Sequence, residues 1–329
     1  MNKKIVIPML VLFFLSLSFA AFAQTTAQVA QVGLNNQSAV GQSSGLNQVT
    51  VQQFNAFSAQ ASVSQNGQNN AAIYQQNVSS TVASQKQVGT SNIAVVAQTN
   101  GSSSQAWQSQ GGSNGAWIGQ HYTNGSVANQ SQTGNNLAHV TQIAGDGNTA
   151  NQKQNGNHTA DIEQVGAGHV AGQQQSGAGH FCHIAQFGAG NNATQIQHTA
   201  SNRANIYQNG GNNTAQQFQY GALNQGGGGL FFSGPPGSGA HLERLFGAVI
   251  RQNGNSNFAS ETQVASSCYA FIQQNGSGNT NVILQNGGGT KAAVYQNGGG
   301  LQHNLTQNTP GAQYVMHQTG ATPNLIVVQ

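Results

Sequence analysis

Along most of the chain, constrained side chains recur at every second position in short bursts, and each burst is set off from the next by glycine. Asn92, Ala94, Val96, Gln98 and Asn202, Ala204, Ile206, Gln208 show the pattern, with freely varying residues in between. A period of two marks a strand with one face turned inward. A helix would scatter these positions around its cylinder, and each interior glycine would cost it about 1 kcal/mol. The predicted unit is therefore one short strand followed by one tight glycine turn.

The bursts keep a fixed interval. Glutamine recurs in steps of eleven at Gln164, Gln175, Gln186, Gln197, Gln208 and Gln219, and again at Gln252, Gln263, Gln274, Gln285, Gln296, Gln307, Gln318 and Gln329. The same interval links Gln31, Gln42 and Gln53, and links Gln65, Gln76, Gln87 and Gln98. Through Gln110, Gln120, Gln132, Gln142 and Gln154 the steps become ten or twelve.

A strand of about six residues buries nothing alone, so units must stack, two of them making one 22-residue coil. The predicted fold is all-β: a β-solenoid of two-strand coils with parallel sheets. Stacking sets each amide about 4.8 Å from its counterpart, where Gln and Asn side chains bond into ladders. That satisfaction lets polar residues point inward. The predicted ladder residues are Gln65, Asn70, Gln76, Gln87, Asn92, Gln98, Gln164, Gln175, Gln186, Asn191, Gln197, Asn202, Gln208, Asn213, Gln219, Gln252, Asn257, Gln263, Gln274, Asn279 and Gln285. The predicted turn glycines, where positive φ is needed, are Gly67, Gly89, Gly166, Gly188, Gly210, Gly254 and Gly276. On this reading the two halves of each coil are equivalent and the ladder breaks in the middle third.

The unit is complete at Gln186, Gly188, Gly190, Asn191, Ala193 and Gln197. In this form it resembles the curlin repeat of curli major and minor subunits, exported amyloid fibre proteins of bacterial biofilms. The resemblance runs from about Gln31 to Gln329. It implies self-polymerisation with a nucleator or companion curlin subunit, passage through an outer-membrane secretion apparatus, and a role in cell-surface adhesion and biofilm matrix. Curlin coils alternate a Ser-x5-Gln half with a Gly-Asn-x-Ala-x3-Gln half, whereas serine here is not regular six residues before glutamine.

Composition agrees with a polar ladder protein. Only 4% of the 329 residues are charged, against roughly 25% in ordinary globular domains. The net charge of +3 is spread thinly, leaving no basic stripe to track a phosphate backbone, so nucleic acid is not an expected partner. Lys3 and Lys4, the apolar run from Ile5 to Phe19, and Ala21-Phe22-Ala23 before Gln24 form the pattern of a cleaved signal peptide over residues 1–23. The expected location is extracellular, with residues 24–329 as the repeat region.

The repeat is interrupted between Asn224 and Ala248. The stretch at about 225–247, containing Pro235-Pro236 and a glycine run, reads as a surface loop inserted at a turn. A degenerate coil, or a small binding excrescence using Phe231, Phe232, Leu242, Leu245 and Phe246, are the alternatives.

Chemistry-bearing residues are few. His139, His158, His169, His180, His183 and His198 cluster in sequence, with His169 and His180 at the Asn position of successive units. Gly179-His180-Phe181-Cys182-His183 has no recognised metal-ligand spacing, so the histidines read as ladder substitutes, with no metal or cofactor expected. Cys182 and Cys268 fall three coils apart, roughly 14 Å, too far for a disulfide. Asp161 and Glu163 read as outward charges, and five acidic residues in all leave little material for acid–base catalysis. Trp107 and Trp117 fall in the irregular segment 98–132, while Tyr74, Tyr207, Tyr269 and Tyr295 lie in strand halves; an aromatic row could bind glycans or dyes, but aromatics in strands read first as good strand formers. The expectation is a fibre subunit and not an enzyme; the alternative is a soluble secreted β-solenoid adhesin or carbohydrate- or surface-binding protein.

Overall fold

The computed structural model describes residues 25–224, 232–233, 241–242, 247–320 and 325–329. The predicted signal peptide and most of the segment at 225–247 lie outside these residues. The described chain is a β-solenoid of about 13 turns with coils of about 22 residues. Two stacks of parallel strands face each other across a thin core. Long strands such as Gln60–Gln76 and Val170–Ala189 bend around a corner and contribute to both stacks.

The alternation seen in sequence becomes alternating burial. In Thr214–Gln219, for example, Ala215, Gln217 and Gln219 point inward while the residues between them do not. Each strand pairs in register with the one a coil away: Ile162 with Ile184, Gln164 with Gln186, Gly166 with Gly188. Because side chains alternate with a period of two, this register places like on like at every rung.

The two halves of a coil are not equivalent. In one stack the position two before the ladder glutamine is apolar in every coil, as in Ile73, Val96, Ile118, Val140, Ile162, Ile184, Ile206, Ile250 and Ile272, all buried. This stack is the isoleucine sheet. In the other the same position holds Gln85, Gln108, Gln130, Gln152, Gln173, Gln195 and Gln217, also buried, and this is the glutamine sheet. At both ends of the glutamine sheet the column turns apolar again, at Val63 and at Ile283 and Leu305. The Gln-x-Gln doublets were visible in sequence, but averaging the two kinds of unit into one motif hides them.

The middle third is unbroken. Steps of twelve and ten alternate there because the two arcs of a coil differ in length, yet their sum returns each glutamine to its own sheet. Gln98, Gln120, Gln142 and Gln164 bond in succession at 2.8, 2.8 and 2.9 Å.

One predicted frame is off by a residue. Asn69 and Gln75 are interior, whereas Asn70 and Gln76 are exposed. The doublets Asn69-Asn70, Ala71-Ala72 and Gln75-Gln76 allow two frames, and the residues between them decide. The observed frame buries Ile73 and leaves Tyr74 38% exposed, so the hydroxyl stays in water. A β-bulge between Gln68 and Asn69 absorbs the shift.

Pairing steps 44 residues across the interrupted stretch. Gln208 pairs with Gln252 and Gln219 with Gln263, so the sheets continue without loss of register. Within it, Phe232–Ser233 and His241–Leu242 form a short antiparallel pair.

Glycines mark the corners. All seven predicted turn glycines have positive φ, between 104° and 118°. They fall into two columns: Gly67 and Gly89 leave the glutamine sheet, and the other five leave the isoleucine sheet. At Gly188 a Cβ would sit 2.1 Å from the Gly210 carbonyl oxygen of the next coil, so close stacking and left-handed backbone both demand glycine. Gly188→Ala is expected to destabilise the fold by about 2 kcal/mol or more, read as a lowered denaturant midpoint. Gly41→Ala, whose Cβ meets nothing within 4 Å, should leave the midpoint unchanged.

Candidate functional site

The structure's repeated chemistry is the amide ladder. In the isoleucine sheet the Nε2 of each glutamine donates to the Oε1 of the next, from Gln31 through Gln318, at 2.6 to 2.9 Å. A second ladder runs from Gln42 to Gln329 in the glutamine sheet. A third, absent from the sequence expectation, joins Gln85 through Gln217 at 2.8 to 3.0 Å. In all three the donor points toward the C-terminal coil.

The other N–H of each amide crosses the core. Gln186 Nε2 also donates to the Val170 carbonyl at 3.0 Å, and Gln87 Nε2 to the Asn70 carbonyl at 3.0 Å, each on the facing sheet. One side chain therefore ties coil to coil and sheet to sheet. The aliphatic column and stacked alanines complete a core only two side chains thick.

A further column holds the corners, with Asn at most positions. Here the side-chain oxygen accepts the backbone N–H of the next coil, as when Asn136 N–H donates to Asn114 Oδ1 at 2.9 Å. Its amide donates to a carbonyl three or four residues back, Asn136 Nδ2 to Thr133 O at 2.8 Å. Ser104 and Ser126 take this place in the glutamine sheet, six residues before Gln110 and Gln132; Ser126 Oγ accepts the Asn148 N–H.

Three histidines occupy such corner positions, two in one sheet and one in the other. His158 Nδ1 accepts the His180 N–H at 3.3 Å, and His180 Nδ1 accepts the Asn202 N–H at 3.1 Å. Their Nε2 atoms lie 2.9 Å from the carbonyls of Asn155 and Ser176. A backbone N–H only donates and a carbonyl only accepts, so each ring is the neutral Nε2–H tautomer. His169 does the same in the glutamine sheet, with Asn191 N–H on Nδ1 and the Val165 carbonyl on Nε2. In each, imidazole reproduces the two contacts of asparagine. His158 and His180 also stack, ring centroids 4.8 Å apart.

The remaining histidines lie elsewhere. His139 and His183 flank Asp161 on the outside of the isoleucine sheet, His139 Nδ1 lying 2.9 Å and His183 Nε2 3.6 Å from its carboxylate. Their spacing of 22 residues was the sequence signal for this contact. The pairs are partly solvent-exposed and contribute little to stability. His198 Nδ1 meets Ser176 Oγ at 2.6 Å at a corner. Among the described residues no group of three or more His, Cys, Asp or Glu is placed to hold a metal ion. Cys182 sits in the alanine column and Cys268 in the Asn column, both buried and free; Cys268 N–H donates to Asn224 Oδ1 at 2.8 Å.

Glu261 closes the third ladder. Gln217 Nε2 donates to its Oε2 at 3.0 Å, while Oε1, in the place of a glutamine Nε2, has no partner. Full burial pushes this carboxyl well above the usual carboxylate range, outweighing the Gln217 bond. That shift favours the neutral acid in the ladder.

Compared with known protein-family models and with curated proteins, the chain matches none.

Two sets of outcomes test this account. Gln186→Leu removes the cross-core bond to the Val170 carbonyl, leaves Gln208 Oε1 without its donor and interrupts the bond from Gln164, and should cost roughly 3 kcal/mol. Thr194→Ala, a half-exposed outward position, should change stability by less than about 0.5 kcal/mol in the same denaturant titration.

The second outcome concerns pH. Burial lowers the pKa of His158, His169 and His180, the last to about 4 from an ordinary 6.5. Between these values the unfolded chain holds more protons than the folded one, so stability should fall as pH drops from 6.5 toward 4. His180→Asn should flatten that slope. Glu261 has the opposite sign, its raised pKa removing stability as pH rises above the carboxylate range. Glu261→Gln should therefore raise the thermal midpoint at pH 7 and leave it nearly unchanged at pH 4.

Proposed function

We propose that this protein is an exported structural subunit that stacks end to end into an extracellular, curli-like amyloid fibre of a biofilm matrix. The observation that carries the reading is the common direction of all three glutamine ladders. Every coil offers amide donors on its C-terminal side and amide oxygens on its N-terminal side, in the same two-sheet register. The coil of Thr26–Leu34 and Gln37–Ser43 and the coil of Gln313–Thr319 and Leu325–Val328 are thus complementary templates for second copies. Such a contact is heterologous and does not close, so it propagates as a filament.

Other features support the same reading. In the curlin pattern one half-coil carries serine six residues before glutamine, and Thr81, Ser104 and Ser126 hold that place in consecutive coils of the glutamine sheet, before Gln87, Gln110 and Gln132. The apolar, alternating first strand leaves Val29 41% exposed, and Ile326 in the last is 72% exposed. Few charges guard either end coil. The signal pattern of residues 1–23 supports export, with a secretion apparatus and a companion curlin subunit as partners.

The secreted protein is expected to begin at Gln24 by N-terminal sequencing and to polymerise after a lag into fibres diffracting near 4.8 and 10 Å. Fragments of pre-formed fibre should abolish the lag. A chain that stays monomeric for days at micromolar concentration, with a sharp thermal transition, would sink the fibre reading in favour of a soluble adhesin.

A further inference from the structure

The outside of the glutamine sheet carries charge of one sign. Of the acidic residues, Asp161 and Glu163 lie outside the isoleucine sheet, Asp146 ends a strand of that sheet at a corner, and Glu261 is interior. Among the described residues no acidic side chain projects from the outer face of the glutamine sheet. Lys86 and Lys153 do, both exposed. The other described basic side chains, Arg203, Arg251 and Lys291, belong to strands of the isoleucine sheet.

Those two lysines line an open trough of about 600 Å³ along the solenoid axis, Lys86 at one end and Lys153 partway along it, with Gln174 and Thr194 beyond. Register fixes its layout. Lys86, Ser109, Ser131 and Lys153 form one outward column over four successive coils, so the lysines stand three rungs apart, about 14 Å. The small serines between them leave the space open. In the adjoining column Trp107 stands one coil after Lys86, 37% exposed, and is followed by Asn129 and Asn151. Asn129 Nδ2 donates to Asn151 Oδ1 at 2.8 Å, which orients both amides along the floor.

We propose that this trough binds a linear anionic polysaccharide. The indole supplies a broad amphipathic face for a sugar ring. The oriented amides and serine hydroxyls match a hydroxyl-rich chain. The two lysines, with no carboxylate of the described residues on their face, attract repeated negative charge lying along the same axis. A nucleic acid fits less well: one exposed ring gives no succession of stacked bases, and two lysines make a short phosphate track. The outward columns take no part in the ladders, so the site operates in a single chain and in a fibre alike, independently of the assembly reading.

The test uses the full secreted chain carrying Trp117→Phe, so that fluorescence reports Trp107 alone. Titration with polygalacturonate at low salt should give a saturable change that is abolished near 1 M salt, while neutral dextran gives none. Lys86→Gln with Lys153→Gln should weaken binding at least about tenfold, two surface charge contacts being lost. The double Lys→Arg variant should keep binding, and Lys291→Gln, on the other sheet, should not affect it. Circular dichroism identical to the parent's confirms that each variant folds. The proposal is overturned if dextran binds as well as polygalacturonate, if the double Gln variant binds like the parent, if Lys291→Gln weakens binding equally, or if single-stranded DNA binds more tightly than the uronate.

Discussion

A primary amide has two N–H donors and one strongly accepting oxygen, and this molecule is built on dividing them. One N–H and the oxygen act along the axis; the second N–H reaches across the core to the facing backbone. A hydroxyl could supply only one donor, and a carboxylate none. Glutamine also has the reach to do both from a strand position, which is why the interior tolerates a polar column where globular cores use aliphatic ones. The cost of this arrangement is its intolerance of gaps. An orphaned amide between two thin sheets has no water to turn to.

Much of the fold could be read from the chain because the constraint repeats. Thirteen nearly identical coils give the glutamine interval, the inward alternation and the corner glycines many chances to show themselves, and the extra 22 residues near 225–247 leave the register intact. What was missed follows from treating two kinds of unit as one. The Gln-x-Gln doublets around Gln87, Gln110 and Gln132 are one sheet's property, and merging the sheets erased both the third ladder and the alternating arc lengths. The slip at Asn70 and Gln76 had a different origin. Polar doublets left the frame open, and only the preference for burying Ile73 over Tyr74 closed it.

The histidines illustrate how far local equivalence can stretch. Imidazole in its Nε2–H form has an acceptor and a donor in nearly the relation of an asparagine side chain, so the corner column accepts it without rearrangement. It differs in one respect, because an amide does not titrate near neutrality. Glu261 is the mirror case, an acid that stands in for an amide only while it keeps its proton. Two conservative replacements in separate ladders thus make the same solenoid sensitive to pH in opposite directions.

The step from Gln208 to Gln252 shows that a corner accepts a long segment while the rungs on either side remain bonded. Corners and outward columns are therefore free to vary while the interior is held fixed. In a filament this freedom becomes periodic. With about 13 rungs per chain at roughly 4.8 Å each, whatever is carried at that corner, and the lysine-bearing trough with it, would recur about every 60 Å along the fibre. A stacked assembly of this chain would act as a ruler, presenting each appendage at an interval set by the number of coils and not by the appendage.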